Sequence, residues 1–110
     1  MEQTENIAQK EWTAERRKMR RLMFRASADV MDLATRQAFN MRMTDVGIGG
    51  CFLDTIFPFA VGARVRVTLC SHLIKFEADG KVAYSHPRIG MGIAFDELND
   101  DQRLALMAIV

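Results

Sequence analysis

The chain has 110 residues, 49% hydrophobic and 26% charged, which suits one core and leaves no room for two domains. No apolar stretch approaches the roughly 18 residues that cross a bilayer, and residues 1–9 are polar and acidic rather than leader-like, so a cytoplasmic protein without membrane insertion is expected. A net charge of +1 argues against a whole-surface binder of nucleic acid polymers.

Charge is unevenly placed. Residues 15–25 hold Arg16, Arg17, Lys18, Arg20, Arg21 and Arg25 against Glu15, six cations to one carboxylate, which leaves −4 for the rest of the chain. Such a cluster suits a compact anion carrying several phosphates, or else a solvated basic tail. Cys51 and Cys70 lack any Cys/His ligand spacing, so they are expected to be two small core thiols in a reducing compartment, with no metal and no cofactor. Eight methionines and seven phenylalanines supply most of the bulk for the core.

In chain order, residues 4–20 contain good helix formers but only a sparse apolar stripe of Ile7, Trp12 and Met19, so 1–20 is expected to be a basic arm or short helix preceding a domain over 21–110. Period-two alternation predicts strands around Ala26–Met31 and Phe39–Thr44, joined through Ala34–Gln37. Asp45-Val-Gly-Ile-Gly-Gly is expected to be an irregular bend needing positive φ more than once. A short strand at Cys51–Leu53, a loop at Pro58 and a strand at Arg64–Leu69 follow. Ser71-His72 turns into Leu73–Ala78, with Lys81–Tyr84 either continuing it past a bulge at Asp79-Gly80 or forming its own strand. The final strand is Gly90–Phe95. A helix then begins with Asn99 as cap and Gln102 reaching back to it, its apolar face formed by Leu104, Met107 and Ala108. Six or seven short strands closed by one helix predict a mainly β fold, a small antiparallel barrel.

Two motifs carry the candidate chemistry. RxxxR occurs as Arg16/Arg20, Arg17/Arg21 and Arg21/Arg25, and Asp45-Val46-Gly47-Ile48-Gly49-Gly50 lies between two predicted strands. With the Gly62-Ala-Arg-Val-Arg-Val strand, the Gly90-Met-Gly-Ile-Ala-Phe95 strand and the closing helix, in that order, the sequence resembles the PilZ family over nearly all of 16–109. The resemblance implies a six- to seven-stranded barrel that binds cyclic di-GMP between an RxxxR segment and a D/NxSxxG turn, then signals to a protein partner. Arg21 with Arg25 is the favoured register, since Arg25 would stand directly before the first strand; Arg17 with Arg21 is the second choice. The turn departs from the family pattern at Gly47, where serine is usual.

Cyclic di-GMP presents two phosphodiesters and two guanines. A guanidinium can fork onto phosphate oxygens or onto the O6/N7 edge of guanine, and can stack on a base. Asp45 can accept from a guanine N1/N2 edge, while Gly47, Gly49 and Gly50 let backbone amides approach. Without a ligand, the same glycines would simply permit a bulge at a barrel corner. His72 and His86 fall in predicted turns away from any partner at catalytic spacing, so no enzyme is expected. Two rivals remain: a PilZ-fold adaptor that does not bind cyclic di-GMP, and a barrel that binds single strands. Against the latter, Phe39, Phe52, Phe76 and Phe95 fall on phases that look inward.

Overall fold

A computed structural model describes residues 22–71 and 73–110, so the arm, Arg17 and Arg21 lie outside the described residues. Six strands, β1 (Leu22–Asp32), β2 (Ala38–Gly47), β3 (Gly50–Asp54), β4 (Arg64–Ser71), β5 (Ile74–His86) and β6 (Gly90–Phe95), precede the helix α1 (Asp100–Ile109). Each strand pairs antiparallel with its neighbours in the order β1-β2-β3-β6-β5-β4, and β4 returns to β1, closing a barrel. Closure leaves no edge strand to be protected from further pairing.

Alternation decides what fills the barrel. Ala28 and Val30 of β1, Met41 and Met43 of β2, and Val65, Val67 and Leu69 of β4 point inward and are almost wholly buried; Phe76, Ala78 and Val82 of β5 and Met91 and Ile93 of β6 join them. Among the described residues Phe76 is the one fully buried aromatic, set edge-on to Phe95 with centroids 5.6 Å apart. Burying a ring of this kind contributes roughly 1.5–3 kcal/mol. The outward residues of β4 meet a polar ladder on β5 and just beyond β6: Arg64 forks onto Asp96 at 2.6 and 3.0 Å, Arg66 onto Asp79 at 2.8 and 3.2 Å, and Thr68 donates to Glu77 at 3.1 Å.

Asn99 caps α1 as expected: its Oδ1 accepts from the Gln102 amide at 2.7 Å, and the Gln102 side chain accepts from the Asn99 amide at 2.8 Å. The Gln102 Nε2 also donates to the Glu77 carbonyl at 2.8 Å, tying the first turn to β5. The helix buries Leu106, with Ala105 and Ile109 half-packed beside it, whereas Leu104, Met107 and Ala108 face solvent. The tether from Gln102 to β5 sets the rotation of the helix, and the sequence stripe of Leu104 and Met107 is therefore its outer face.

Other expectations are corrected by the strand register. Arg25 lies inside β1 rather than before it, and Asp45 to Gly47 complete β2 while Gly50 opens β3, so the glycine segment is a tight hairpin rather than an irregular bend. The positive-φ glycines are Gly62 (94°) and Gly90 (158°), both outside that segment. β5 runs unbroken, with its bulge at Ala83 and not at Asp79-Gly80. Phe39 is 45% exposed, while Phe52 and Phe95 are only half-buried. Cys51 is buried and Cys70 exposed. His86 ends β5 instead of sitting in a turn.

The fork from Arg64 holds the Asp96 carboxyl below the usual aspartate range, its hydrogen bond outweighing partial burial. The folded protein therefore binds that proton less readily than the unfolded chain does. The pair adds stability above the ordinary aspartate value of about 3.9, and this is lost as pH falls through the lower folded value. With both side chains about half exposed, screening keeps the effect small. Urea midpoints at pH 5 and pH 2.5 are expected to drop more in the wild type than in Arg64→Gln, whose Asp96 has lost its fork.

Candidate functional site

Two bulges control the outer surface. Along β2, Met41 and Met43 point inward at odd positions, and uninterrupted alternation would send Asp45 into the core as well. Instead Met43 pairs with Leu53 and Asp45 with Phe52, so Thr44 is an extra residue with no counterpart on β3. The phase flips, Val46 becomes the buried residue, and Asp45 emerges half-exposed on the outside. Along β5, Val82 pairs with Ile93 and Tyr84 with Gly92, leaving Ala83 as the extra residue and turning Tyr84 outward.

The register then sets one row across four strands: Asp45 of β2 opposite Phe52 of β3, Phe52 opposite Gly92 of β6, and Gly92 opposite Tyr84 of β5. Gly92 is the low point between two aromatics. Any Cβ there would collide with the Tyr84 ring, and a Cβ on Gly90 would come within 2.8 Å of Phe52. Both rings thus lie over the β6 backbone, their centroids 6.2 Å apart and their planes inclined by 27°. His86 extends the layer, its ring 5.6 Å from Tyr84.

A second outward row, one step towards the hairpin, runs Gly47, Gly50, Ala94, Lys81. Here the sheet carries almost no side chain until the exposed Lys81. Gly50 has to be glycine, since a Cβ would run into the Ile93 carbonyl oxygen. Gly49 occupies the hairpin turn, its carbonyl accepting from the Phe95 amide at 3.0 Å. Arg25 lies in a further irregularity: β1 pairs Met23 with Asp45 and Ala26 with Met43, so Phe24 and Arg25 together oppose Thr44. Arg25 is exposed and sits two residues along β1 from the partner of Asp45.

Five of the sequence-predicted positions, Arg25, Asp45, Gly47, Gly49 and Gly50, are therefore gathered at one end of the β1-β2-β3 surface, while Arg17 and Arg21 lie outside the described residues. Sequence reasoning missed Phe52, Tyr84 and Lys81. Local alternation predicts Phe52 inward, whereas the register turns it outward beside Tyr84, so this barrel does carry an outward aromatic face. The alternation of Gly90 and Gly92 in β6 was the available signal, because two bare positions on one face of a strand mark a place where something lies close against the backbone. Chemically, the surface combines two aromatic rings over the β6 backbone, a run of glycines bare of side chains, one carboxylate and cations at both ends.

A family model described as PilZ domain matches residues 15–110. Among solved structures, the chain resembles the PilZ domain of CeSA from a cellulose-synthesizing bacterium, with a TM-score of 0.67 and 13% identity, covering 83% of this chain and 94% of that one. No curated protein matches the sequence. At that identity the structural likeness speaks for the barrel alone.

The contact between Gly92 and Tyr84 can be tested without a ligand. Gly92→Ala is expected to destabilise the fold by about 1–3 kcal/mol through overpacking. In a Tyr84→Ala background the same change should cost less than about 0.5 kcal/mol, because alanine suits a strand once the ring is gone. Equal penalties in both backgrounds, read from urea unfolding, would remove the ring from over Gly92.

Proposed function

Because this chain belongs to the PilZ domain family, we propose that it is a sensor module for cyclic di-GMP, taking the ligand on the outer face of the β2-β3-β6-β5 surface and passing the signal to a protein partner. The observation that carries the reading is the row of Asp45, Phe52, Gly92 and Tyr84 lying beside the bare Gly47–Gly50 shelf. A guanine laid on the Phe52 and Tyr84 rings would keep its edge free for hydrogen bonds, and aromatic stacking of a base is worth about 1–3 kcal/mol. Asp45, on the same row, accepts from the N1/N2 edge. Arg25 and, in the favoured register, Arg21 fork onto phosphate. Lys81 supplies a cation at the far end of the shelf. No bond is made or broken in this reading, and no cofactor is needed.

Two rings 6.2 Å apart make a floor for a compact dinucleotide, not a track for a long strand, which favours this ligand over a single-stranded polymer. Gly47 in the serine position favours the alternative of an adaptor that works by protein contacts alone. Calorimetric titration with cyclic di-GMP, against GTP, a linear dinucleotide and a short oligonucleotide, separates the three readings: heat with the cyclic ligand alone supports the sensor.

Arg21→Ala and Arg25→Ala are each expected to weaken cyclic di-GMP by about tenfold to over a hundredfold, from loss of a charge-assisted contact worth about 1.5–3 kcal/mol. Arg36→Ala, in the turn at the far end of β1, is the control and should bind as wild type. Loss confined to Arg17→Ala and Arg21→Ala would move the clamp by one register. Gly47→Ser is expected to tighten binding two- to tenfold, the worth of one neutral hydrogen bond. The backbone there is strand, paired with Gly50, so serine brings no left-handed strain. An unchanged melting temperature of the free protein, without gain in affinity, would place the ligand elsewhere.

A further inference from the structure

Two exposed apolar surfaces play no part in the ligand site, and they lie towards opposite ends of β5. The first is where the loop after β3 meets the β5–β6 turn. Thr55 donates to the Ile89 carbonyl at 3.3 Å and Arg88 to that of Ile56 at 3.0 Å, and these bonds hold Ile56, Phe57 and Ile89 together with exposures of 62, 83 and 63%. Beside them is an open cleft of about 600 Å³ whose lining includes Arg42, Asp54 and Arg88. Arg88 has no ion pair among the described residues, and Arg42 reaches Asp54 only at 4.0 Å.

The second surface is the outer face of α1. Leu104 and Met107 are 64 and 67% exposed, and Val110 continues the stripe at the same spacing of three. The first turn carries the exposed carboxylates of Asp101 and of Asp100, the latter 3.4 Å from Arg103, and Glu97 is exposed just before the helix; the last turn has no basic residue. An apolar stripe edged with carboxylates is the complement of an apolar cap edged with arginines, and both are presented by one molecule.

We propose that α1 of one copy docks on the Ile56-Phe57-Ile89 cap of a second, Leu104 and Met107 covering the cap while Glu97, Asp100 and Asp101 approach Arg42 and Arg88. The two faces lie towards opposite ends of β5, so the contact is heterologous and each added copy leaves one cap and one helix free for the next. A single helix on a small cap buries less than a standard interface, so association is weak and salt-sensitive. The proposal does not depend on the ligand reading.

Analytical ultracentrifugation of the full chain without nucleotide tests it, using Phe57→Asp, which sets a carboxylate on the cap against the acidic helix, and Met107→Lys, which sets an ammonium on the helix against the arginines. Both positions are exposed, and unchanged melting temperatures check that each variant folds. The wild type is expected to grow beyond a dimer as concentration rises, and less so in high salt. Each variant alone should remain monomeric at tenfold higher concentration. Mixed, the intact helix of Phe57→Asp fits the intact cap of Met107→Lys, giving a one-to-one dimer that grows no further. A wild type that stays monomeric, either variant assembling as the wild type does, or a mixture that stays monomeric overturns the proposal. So does binding to anionic vesicles that Phe57→Asp abolishes in the absence of self-association, which would make the cap a membrane contact.

Discussion

In a β-strand, successive side chains must leave opposite faces, and the outer surface of this barrel exists in its present form because that rule is interrupted in β2 and again in β5. Thr44 has no counterpart on β3, and Ala83 has none on β6. Without the first, Asp45 would share the inward phase of Met41 and Met43, a carboxylate driven into an apolar core at a cost of several kcal/mol. Without the second, Tyr84 would follow Val82 inward, and a core already holding Phe76 would have to take a second large ring. Each bulge converts a would-be core residue into a surface group at a fixed address, on a strand rigid enough to hold it there.

The two faces of the barrel are therefore chemically separate. The interior is closed by Val, Leu, Met and Phe76, and the ladder of Arg64, Arg66 and Thr68 with Asp96, Asp79 and Glu77 keeps the β4–β5 exterior polar. The row from Asp45 to Tyr84 contributes little to this packing, so its side chains can change without emptying the core. The glycines of β6 are the exception. Gly90 and Gly92 belong to the fold through their backbone pairing with β3 and β5, and to the surface through the rings above them, so a substitution there disturbs both.

What the sequence revealed and what it hid follows the same division. The strands of strict alternation, Arg64–Leu69 above all, can be located because burial on one face leaves a period-two record, and Asn99 with Gln102 marks the helix start because a capping residue three positions before Gln or Glu can form a reciprocal pair of hydrogen bonds. The motif residues Arg25, Asp45 and Gly50 were found by type and spacing. Bulges leave no such record: a phase change at Thr44 or Ala83 depends on which residue the neighbouring strand places opposite, a long-range fact that no local window contains. That is why local alternation puts Phe52 in the core and, although it sets Tyr84 on a strand, does not reveal its face. The helix face is ambiguous in the sequence for a related reason. Leu104 and Met107 satisfy a helical stripe as well as Leu106 and Ile109 do, and the choice was made by Gln102 bonding to Glu77 on β5.

The departure at Gly47 can be weighed on the same physical scale. For a ligand with two phosphates and two bases, a forked guanidinium contact is worth about 1.5–3 kcal/mol and a stacked base about 1–3 kcal/mol, against about 0.5–1.5 kcal/mol for a neutral hydroxyl. If such a ligand is held as proposed, the arginine, the carboxylate and the two rings would supply the larger contributions, and only the smallest would be forgone. Gly47 also lies opposite Gly50, where even one Cβ would strike the Ile93 carbonyl, so the hairpin keeps a pair of bare positions side by side. The missing hydroxyl thus removes one directional contact and widens the shelf on which a flat ligand would rest. Whether a short motif is complete is a weaker guide to such a surface than which of its groups carry charge, which carry a ring, and which face of the strand they occupy.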